Sequence, residues 1–320
     1  MYRKNKIAVV IPCYNVSSHI EKVVKQIPEY VDHVLLIDDA SKDKTSLITK
    51  NIADKIDRVE QISHKRNKGV GGAVKTGYQK ARHNSSDIVV KVDGDGQMDT
   101  TVMHQFLDPI IDGNADYTKG NRFYSIYDLK NMPTIRLLGN SVLSLVNKFI
   151  NGYWQINDPT NGYTAIQSTV LQHLPLDKID DRYFFESDML FRLSTFRAVV
   201  TDIPINVKYE DEVSNLNIGK VILKFPLKYL KRFFKRLFYN YFLREFNVGT
   251  INLIVAVLFL GFGLTFGISK WFQAAAQNNY ASSGTVMLAA LPIIIGFQAL
   301  LAFLQFDVQN QPKSVIHKFE

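Results

Sequence analysis

Apolar residues fall along the chain in two rhythms, and the change between them divides it. Up to about Tyr209, short runs rich in Val and Ile alternate with segments whose apolar positions recur at helical spacing. Ile7–Ile11, Val34–Ile37, Ile88–Val92 and Val199–Val207 are flanked by polar turns and predict buried strands of a mainly parallel sheet. Between them, His19–Ile27, Lys44–Ile56, Val70–His83 and Thr101–Ile111 predict amphipathic helices, the second opened by a capping region over Ser41–Lys44. This alternation predicts an α/β, Rossmann-like domain.

From Gly219 to Phe246 the second rhythm begins. Lys228, Lys231, Arg232, Lys235 and Arg236 interleave with Phe225, Tyr229, Leu230, Phe233 and Phe234. A basic, aromatic-rich stretch of this kind suits a helix lying among anionic lipid headgroups, and Pro226 is expected to break it in two. Val248–Ser269 and Thr285–Phe306 follow, each without a charged residue over roughly the ~20 positions a bilayer crossing needs. The positive-inside rule puts the basic stretch in the cytosol. Lys270–Gly284 then faces outward, and the second span returns Lys313 and Lys318 to the cytosol. The expected organisation is a domain over residues 1–216, basic juxtamembrane helices over 217–246, a transmembrane hairpin over 247–307 (spans about 248–269 and 285–306) and a tail over 308–320. A multi-pass cell-membrane location follows, with the α/β domain and both termini cytosolic.

Composition narrows the partners. Lys and Arg number 38 against 30 Asp and Glu, a net charge of +8, so an anionic partner such as a nucleotide or acidic lipid is expected. A nucleic acid is not, because the basic stretch leads straight into apolar spans. The single cysteine, Cys13, excludes an intramolecular disulfide framework and suits a reducing compartment. Met1–Lys6 is basic, but the apolar run after it stops at Pro12, too early for a signal peptide. Nothing in the composition speaks against a homo-oligomer.

The strongest chemical signal is Asp93-Gly94-Asp95-Gly96-Gln97, directly after the run Ile88–Val92. Two carboxylates at the end of a buried strand suit a hard divalent cation that takes its remaining ligands from phosphate and water, and such a cation neutralises a diphosphate leaving group. Ile11-Pro12-Cys13-Tyr14-Asn15 and Ile37-Asp38-Asp39-Ala40-Ser41 end the first two predicted strands. Ligands of open α/β sheets bind beyond such ends, where Asp38 or Asp39 can accept hydrogen bonds from a base or ribose. Asn67-Lys68-Gly69-Val70-Gly71-Gly72-Ala73 opens a helix, whose glycines allow close backbone approach and whose N-terminus attracts anions.

In this order and spacing, these motifs resemble the GT-A glycosyltransferases of family 2. The resemblance continues through Gly120-Asn121-Arg122-Phe123, Asp158-Pro159-Thr160-Asn161-Gly162-Tyr163 and Phe184-Phe185-Glu186-Ser187-Asp188, spanning roughly residues 6 to 216. Within the family the chain is most similar to the dolichol- and polyprenyl-phosphate sugar transferases. The resemblance implies that Pro12, Tyr14, Asn15 and Asp38 or Asp39 line a nucleotide-sugar pocket, with Lys68 and Gly69 nearby. It implies that Asp93 and Asp95 hold Mg²⁺ or Mn²⁺ and the diphosphate, with Gln97 as a further ligand. Arg122 and Arg136 match a pair of arginines that meets the acceptor phosphate, a task suited to the planar guanidinium fork.

The implied reaction is attack of an acceptor oxygen on the anomeric carbon, with inversion and loss of a nucleoside diphosphate. A polyprenyl-phosphate acceptor is already ionised and requires no strong base. A hydroxyl of a lipid-linked sugar or lipid headgroup requires a carboxylate to take its proton, and Asp158, Glu186 and Asp188 are the candidates. One departure bears on the acceptor: where polyprenyl-phosphate transferases often carry a Gly-Glu-Ser-Lys-like loop, Tyr209–Leu216 aligns Glu212 and Ser214, with Val213 between them and no lysine. The QxxRW motif of processive polysaccharide synthases is missing. A catalytically silent membrane scaffold is the alternative of another class. The expected role is assembly of cell-envelope glycan or glycolipid.

Overall fold

The structure, a computed structural model, describes residues 1–124, 134–205 and 218–318. The Glu212/Ser214 loop lies outside the described residues, as does the side chain of Arg136. The chain divides into two compact units, Met1–Phe233 with Pro312–Glu320, and Phe234–Gln311.

The first unit is built on a seven-stranded sheet: β1 (Ile7–Cys13), β2 (His33–Asp38), β3 (Val59–Ser63), β4 (Ile88–Lys91), β5 (Tyr117–Asn121), β6 (Thr164–Gln167) and β7 (Val200–Pro204), in the order β3-β2-β1-β4-β6-β5-β7. Neighbours pair in parallel except β6, which runs antiparallel to both β4 and β5. The helices around it are α1 (Ile20–Gln26), α2 (Thr45–Ala53), α3 (Val70–His83), α4 (Met103–Ile111), α5 (Thr134–Asn151), α6 (Ser168–His173), α7 (Phe185–Phe196) and the start of α8 (Ile218–Leu237).

Alternation along β1 explains the layers. Ile7, Val9, Ile11 and Cys13 face one core with Ile20 and Val23 of α1 and Met103, Phe106 and Leu107 of α4. Ala8 and Val10 face the other, with Ala73, Val74 and Tyr78 of α3 and Met189, Leu190 and Leu193 of α7. With both faces covered, the strand is apolar throughout, as a strand inside a three-layer α/β/α unit must be. Gly77 lets α3 ride on β1: a Cβ there would lie within 2.9 Å of Val10 Cγ2. Sheet order reverses beside β1, so the carboxyl ends of β1 and β4 adjoin at a topological switch point, where open α/β sheets bind ligands. This is the GT-A arrangement.

Pro226 does not break α8. A proline removes one hydrogen bond from the ladder, but Phe225, Tyr229 and Phe233 pack with Leu143, Val146 and Ile150 of α5 and with Phe184, and this packing spans the defect. The helix runs on to Leu237 and passes into a π-helical stretch over Phe238–Arg244.

In the second unit, α9 (Val248–Ala276) and α10 (Ser283–Gln309) exceed the expected spans at both ends or one. Each has a mean hydropathy of 2.3 over its most apolar stretch, with only 11% and 17% of those stretches buried. A core helix of this composition would be enclosed; these two expose Phe262, Leu264, Ile294 and Phe297 instead. A capping box between Asn247 and Thr250 starts α9. Gly263 and Gly296 allow close packing, since a Cβ would lie 2.7 Å from Ile293 Cγ1 at the first and 2.8 Å from Leu260 N at the second. Arg236 donates to both carboxylate oxygens of buried Asp307 (2.7 and 3.1 Å), which also accepts from Tyr241 (2.5 Å). The hairpin is therefore long, apolar and consistent with membrane insertion. Past it, Asp116 of the first unit accepts from the backbone N–H of Ile316 (2.9 Å) and pairs with His317 Nδ1 (2.8 Å).

Candidate active site

A cleft of about 450 Å³ opens at the switch point, lined by Pro12, Tyr14, Asp39, Gly69, Asp93 and Asp95, with Arg182 and Tyr183 completing it. Residues up to 171 positions apart in sequence meet here because three strand ends and the N-terminus of α3 converge.

Several expected pocket residues form hydrogen bonds with neighbouring backbone. Asp39, 2% exposed, accepts from Lys68 N–H (2.9 Å), Gly69 N–H (2.7 Å) and the His64 ring (2.7 Å). It fixes the turn into α3, where Gly69 takes φ +94°, a region open to glycine. Asp38 accepts from Ser41 N–H at 3.2 Å. Asn15, at φ +55°, accepts from Lys42 N–H at 2.8 Å and so joins the ends of β1 and β2. Gln97 donates its backbone N–H to Asp95 Oδ1 at 3.0 Å.

Behind Asp93 lies a buried charge cluster that the sequence reading did not identify. Lys91 is 1% exposed, and its ammonium donates to Asp93 Oδ1 (2.7 Å) and Gly162 O (3.0 Å) and pairs with Glu186 Oε1 (3.0 Å). Three N–H donors thus meet three acceptors. Burial pulls its pKa down, but Asp93 and Glu186 outweigh this and raise it above the ordinary lysine value. Lys119 of β5, fully buried, bonds to Asn161 O, and its ammonium stands 3.9 Å from Glu186 Oε2; burial lowers its pKa. The available signal was a lysine interrupting the apolar run Ile88–Val92, because a charge on a strand buried on both faces demands partners.

The three candidate bases are each paired with a cation. Asp158 accepts from Arg122 Nε (2.6 Å) and Nη2 (2.9 Å); burial raises its pKa, but the Arg122 bonds prevail and hold it below the usual carboxylate range. Asp188, fully buried, accepts from Arg232 Nε (2.6 Å) and Nη2 (3.0 Å) and from Asp180 N–H (3.0 Å). Glu186 sits between Lys91 and Lys119, with Oε2 lacking a hydrogen-bond partner among the described residues. A second cleft of about 470 Å³ lies beside Asn121, Phe123 and Lys148.

Asp202, on β7 next to this cluster, has a pKa raised to about 6, chiefly by burial. Its Oδ2 accepts from Asn121 (2.9 Å) and Asn157 N–H (2.9 Å), while Oδ1 is buried without a partner. The folded state therefore binds a proton that the unfolded chain has released. Stability from this group is fully present below the unfolded value of 3.8 and is lost as pH rises through about 6, amounting to ~3 kcal/mol. Asp202→Asn is expected to flatten this fall. Unfolding midpoints of both proteins between pH 4 and 7 test it; parallel profiles would contradict it.

Asp93 and Asp95 are the cleft's candidate metal ligands. Among the described residues no cluster of three or more His, Cys, Asp or Glu is assembled for a metal, but two carboxylates lining one cleft suit Mg²⁺ or Mn²⁺ completing its shell with phosphate oxygens and water.

Comparison with known proteins agrees with this architecture. A family model described as Glycosyl transferase family 2 matches residues 8–174. The UDP-N-acetylglucosamine–dolichyl-phosphate N-acetylglucosaminyltransferase of Methanococcus voltae is 30% identical over 236 residues, covering 70% of this chain and 93% of the relative. The polyprenol monophosphomannose synthase of Mycolicibacterium smegmatis is 26% identical over 224 residues, covering 68% and 84%. Among solved structures, glucosyl-3-phosphoglycerate synthase from Mycobacterium tuberculosis superposes with a TM-score of 0.54 at 20% identity, covering 72% of this chain and 80% of the other; that likeness concerns the fold. Since the family model spans more than half of the sequence and the motifs it covers end the strands that build the cleft, this chain belongs to glycosyltransferase family 2, as a GT-A enzyme related to the polyprenyl- and dolichyl-phosphate sugar transferases.

Proposed function

We propose that the enzyme moves a sugar, with inversion, from a UDP- or GDP-sugar to a polyprenyl phosphate at the cytosolic membrane face, using Mg²⁺ or Mn²⁺, for assembly of cell-envelope glycan or glycolipid. One observation carries the choice of acceptor: Asp158, Glu186 and Asp188 are each committed to a cation, at 2.6 Å, 3.0 Å and 2.6 Å. A hydroxyl acceptor needs a carboxylate free to take a proton; a phosphate does not. The activities of the Methanococcus and Mycolicibacterium relatives, one acting on dolichyl phosphate and one making a polyprenol monophosphomannose, support the same class.

In this reading Pro12 and Tyr14 border the nucleotide, and Asp39 keeps the Lys68–Gly69 turn in place. Asp93 and Asp95 hold the metal, which when bound neutralises the departing diphosphate. Solved structures of this fold with Mn²⁺ and UDP accord with it. Lys91 keeps Asp93 oriented. Arg122, oriented by Asp158, meets the acceptor phosphate as the sugar's anomeric carbon is attacked. Arg136, on the first turn of α5, is proposed as its partner on sequence grounds. The chain leaves the catalytic unit at Phe233 and rejoins it at Pro312, which accords with a two-span hairpin whose ends share one membrane face. The proposed boundaries are those of the sequence, with the catalytic domain over 1–216.

Gly162 should be intolerant of substitution. A Cβ there would collide with Asp93 Oδ2 and lie 2.6 Å from Lys91 Nζ. Gly162→Ala is expected to lower transfer about tenfold or more with donor and acceptor saturating. A wild-type rate would show that Asp93 can shift freely.

The proposal is tested with labelled UDP- and GDP-sugars, undecaprenyl or dolichyl phosphate, and Mg²⁺ or Mn²⁺ in detergent. A labelled lipid product is expected. Donor hydrolysis with no lipid product would discard the phosphate acceptor. The unpartnered Glu186 Oε2 favours the second reading, transfer to a hydroxyl of a lipid-linked sugar or headgroup. Glu186→Gln distinguishes the two by the pH profile of transfer: loosening of Lys91 lowers the rate in both, but a group that must be deprotonated drops out of the profile only in the second.

A further inference from the structure

We propose that Arg182 is the cation that binds the donor's diphosphate, and that Lys228 and Arg232 of the basic helix are positioning residues that hold its segment against the cleft. The inference rests on the donor-site reading above and deepens it.

Arg182 lines the same cleft as Asp93 and Asp95. Two carboxylates facing a diphosphate create a repulsion that a single divalent cation only partly offsets, so a fixed positive charge lining the same cleft is what the site needs. Arg232 is committed to Asp188, and Arg122, paired with Asp158, is assigned to the acceptor phosphate. Among the described residues, Arg182 has no carboxylate partner, and it is exposed at the cleft. The N-terminus of α3, a 14-residue helix, adds partial positive charge on the same side.

The glycines before and within α3 serve this arrangement. They allow close backbone approach, and what approaches them is the Asp180–Arg182 segment. At Gly69 a Cβ would lie 2.6 Å from Asp181 O and 2.9 Å from Arg182 Cγ; at Gly71 it would meet Asp180 O and lie 2.8 Å from Phe185 Cδ2. Gly72 N–H donates to Asp181 O at 3.0 Å. The Asp180–Arg182 backbone is thus seated on the start of α3, with the Arg182 stem against Gly69.

From behind, α8 secures the segment. Asp180 Oδ1 accepts from Arg182 N–H at 3.0 Å, and Asp180 Oδ2 pairs with Lys228. Asp180 N–H donates to Asp188, which Arg232 grips with two bonds. Lys228 and Arg232 are four residues apart, hence on one helix face. Two cations of a helix read from sequence as facing lipid headgroups therefore face the catalytic domain and brace the donor cleft.

The test uses the full chain in detergent micelles, with calorimetric titration of UDP, GDP and the matching nucleosides in the presence of Mn²⁺. Arg182→Ala is expected to weaken binding of the diphosphate that the wild type prefers about tenfold or more, leaving nucleoside binding and the unfolding midpoint unchanged, with Arg182→Lys recovering part of the loss. Lys228→Met combined with Arg232→Met is expected to weaken the same diphosphate a few-fold, about two- to fivefold, and to raise donor KM more than it lowers kcat. Undiminished diphosphate binding by Arg182→Ala would overturn the proposal. Wild-type protein that binds neither diphosphate would overturn the donor-site reading and this inference with it.

Discussion

Asp95→Ala is expected to lower sugar transfer about a thousandfold, ~4 kcal/mol of transition-state stabilisation, while leaving the fold intact. Asp95 lies in the turn after β4, lines the cleft proposed for the donor and accepts from Gln97 N–H at 3.0 Å. Its carboxylate is proposed to carry the metal against a leaving group whose charge grows as the glycosidic bond breaks, so its loss should fall on kcat. Asp93→Ala should lose activity as well, but for two reasons, because Asp93 also accepts from the buried Lys91 ammonium at 2.7 Å. Comparing unfolding midpoints separates the cases: Asp95→Ala should melt within a few degrees of wild type and Asp93→Ala clearly below it. Substantial activity in Asp95→Ala would remove the metal from that position.

Lys91→Met is expected to destabilise the catalytic unit by ~3–5 kcal/mol, the range for breaking a buried ion pair by deleting one partner. The methionine fits the volume but leaves Asp93 and Glu186 without the ammonium that lies 2.7 Å from one and 3.0 Å from the other. Glu186 would keep only Lys119 at 3.9 Å. Adding Glu186→Gln should recover part of the loss, because the second substitution removes one of the stranded charges. A double-mutant cycle on unfolding free energies measures this coupling. Strictly additive losses would mean that the two side chains do not share a charge balance.

What could be read from the sequence follows from which signals are local. β1, β2 and β4 declare themselves as apolar runs, and the carboxylates just past β4 are recognisable because they follow one. β5 does not: Tyr117–Asn121 is fully buried, yet Thr118, Lys119 and Asn121 are polar. Their partners are distant, at Phe106 O, Asn161 O and Asp202. β6 and β3, with Thr and Gln or Glu, are hidden for the same reason, and with β6 went the one antiparallel strand of the sheet. The pairing of Arg122 with Asp158, and of Arg232 with Asp188, joins residues 36 and 44 positions apart. Periodicity carries no trace of such pairs, so three carboxylates that looked alike as bases could not be told apart. The two long apolar helices were legible from composition, although α9 and α10 run past the expected spans, whereas the continuity of α8 through Pro226 depends on packing against α5.

The central claim, that this cleft turns over a nucleotide-sugar with a divalent cation, is tested most directly by release of UDP or GDP from a panel of nucleotide-sugars. The full chain would be assayed in detergent with polyprenyl phosphate, with Mn²⁺ or Mg²⁺ and then with excess chelator. The account predicts release from at least one donor, matched by labelled lipid, that stops with chelator and in Asp95→Ala. Release that persists at the same rate without metal and in Asp95→Ala would contradict it.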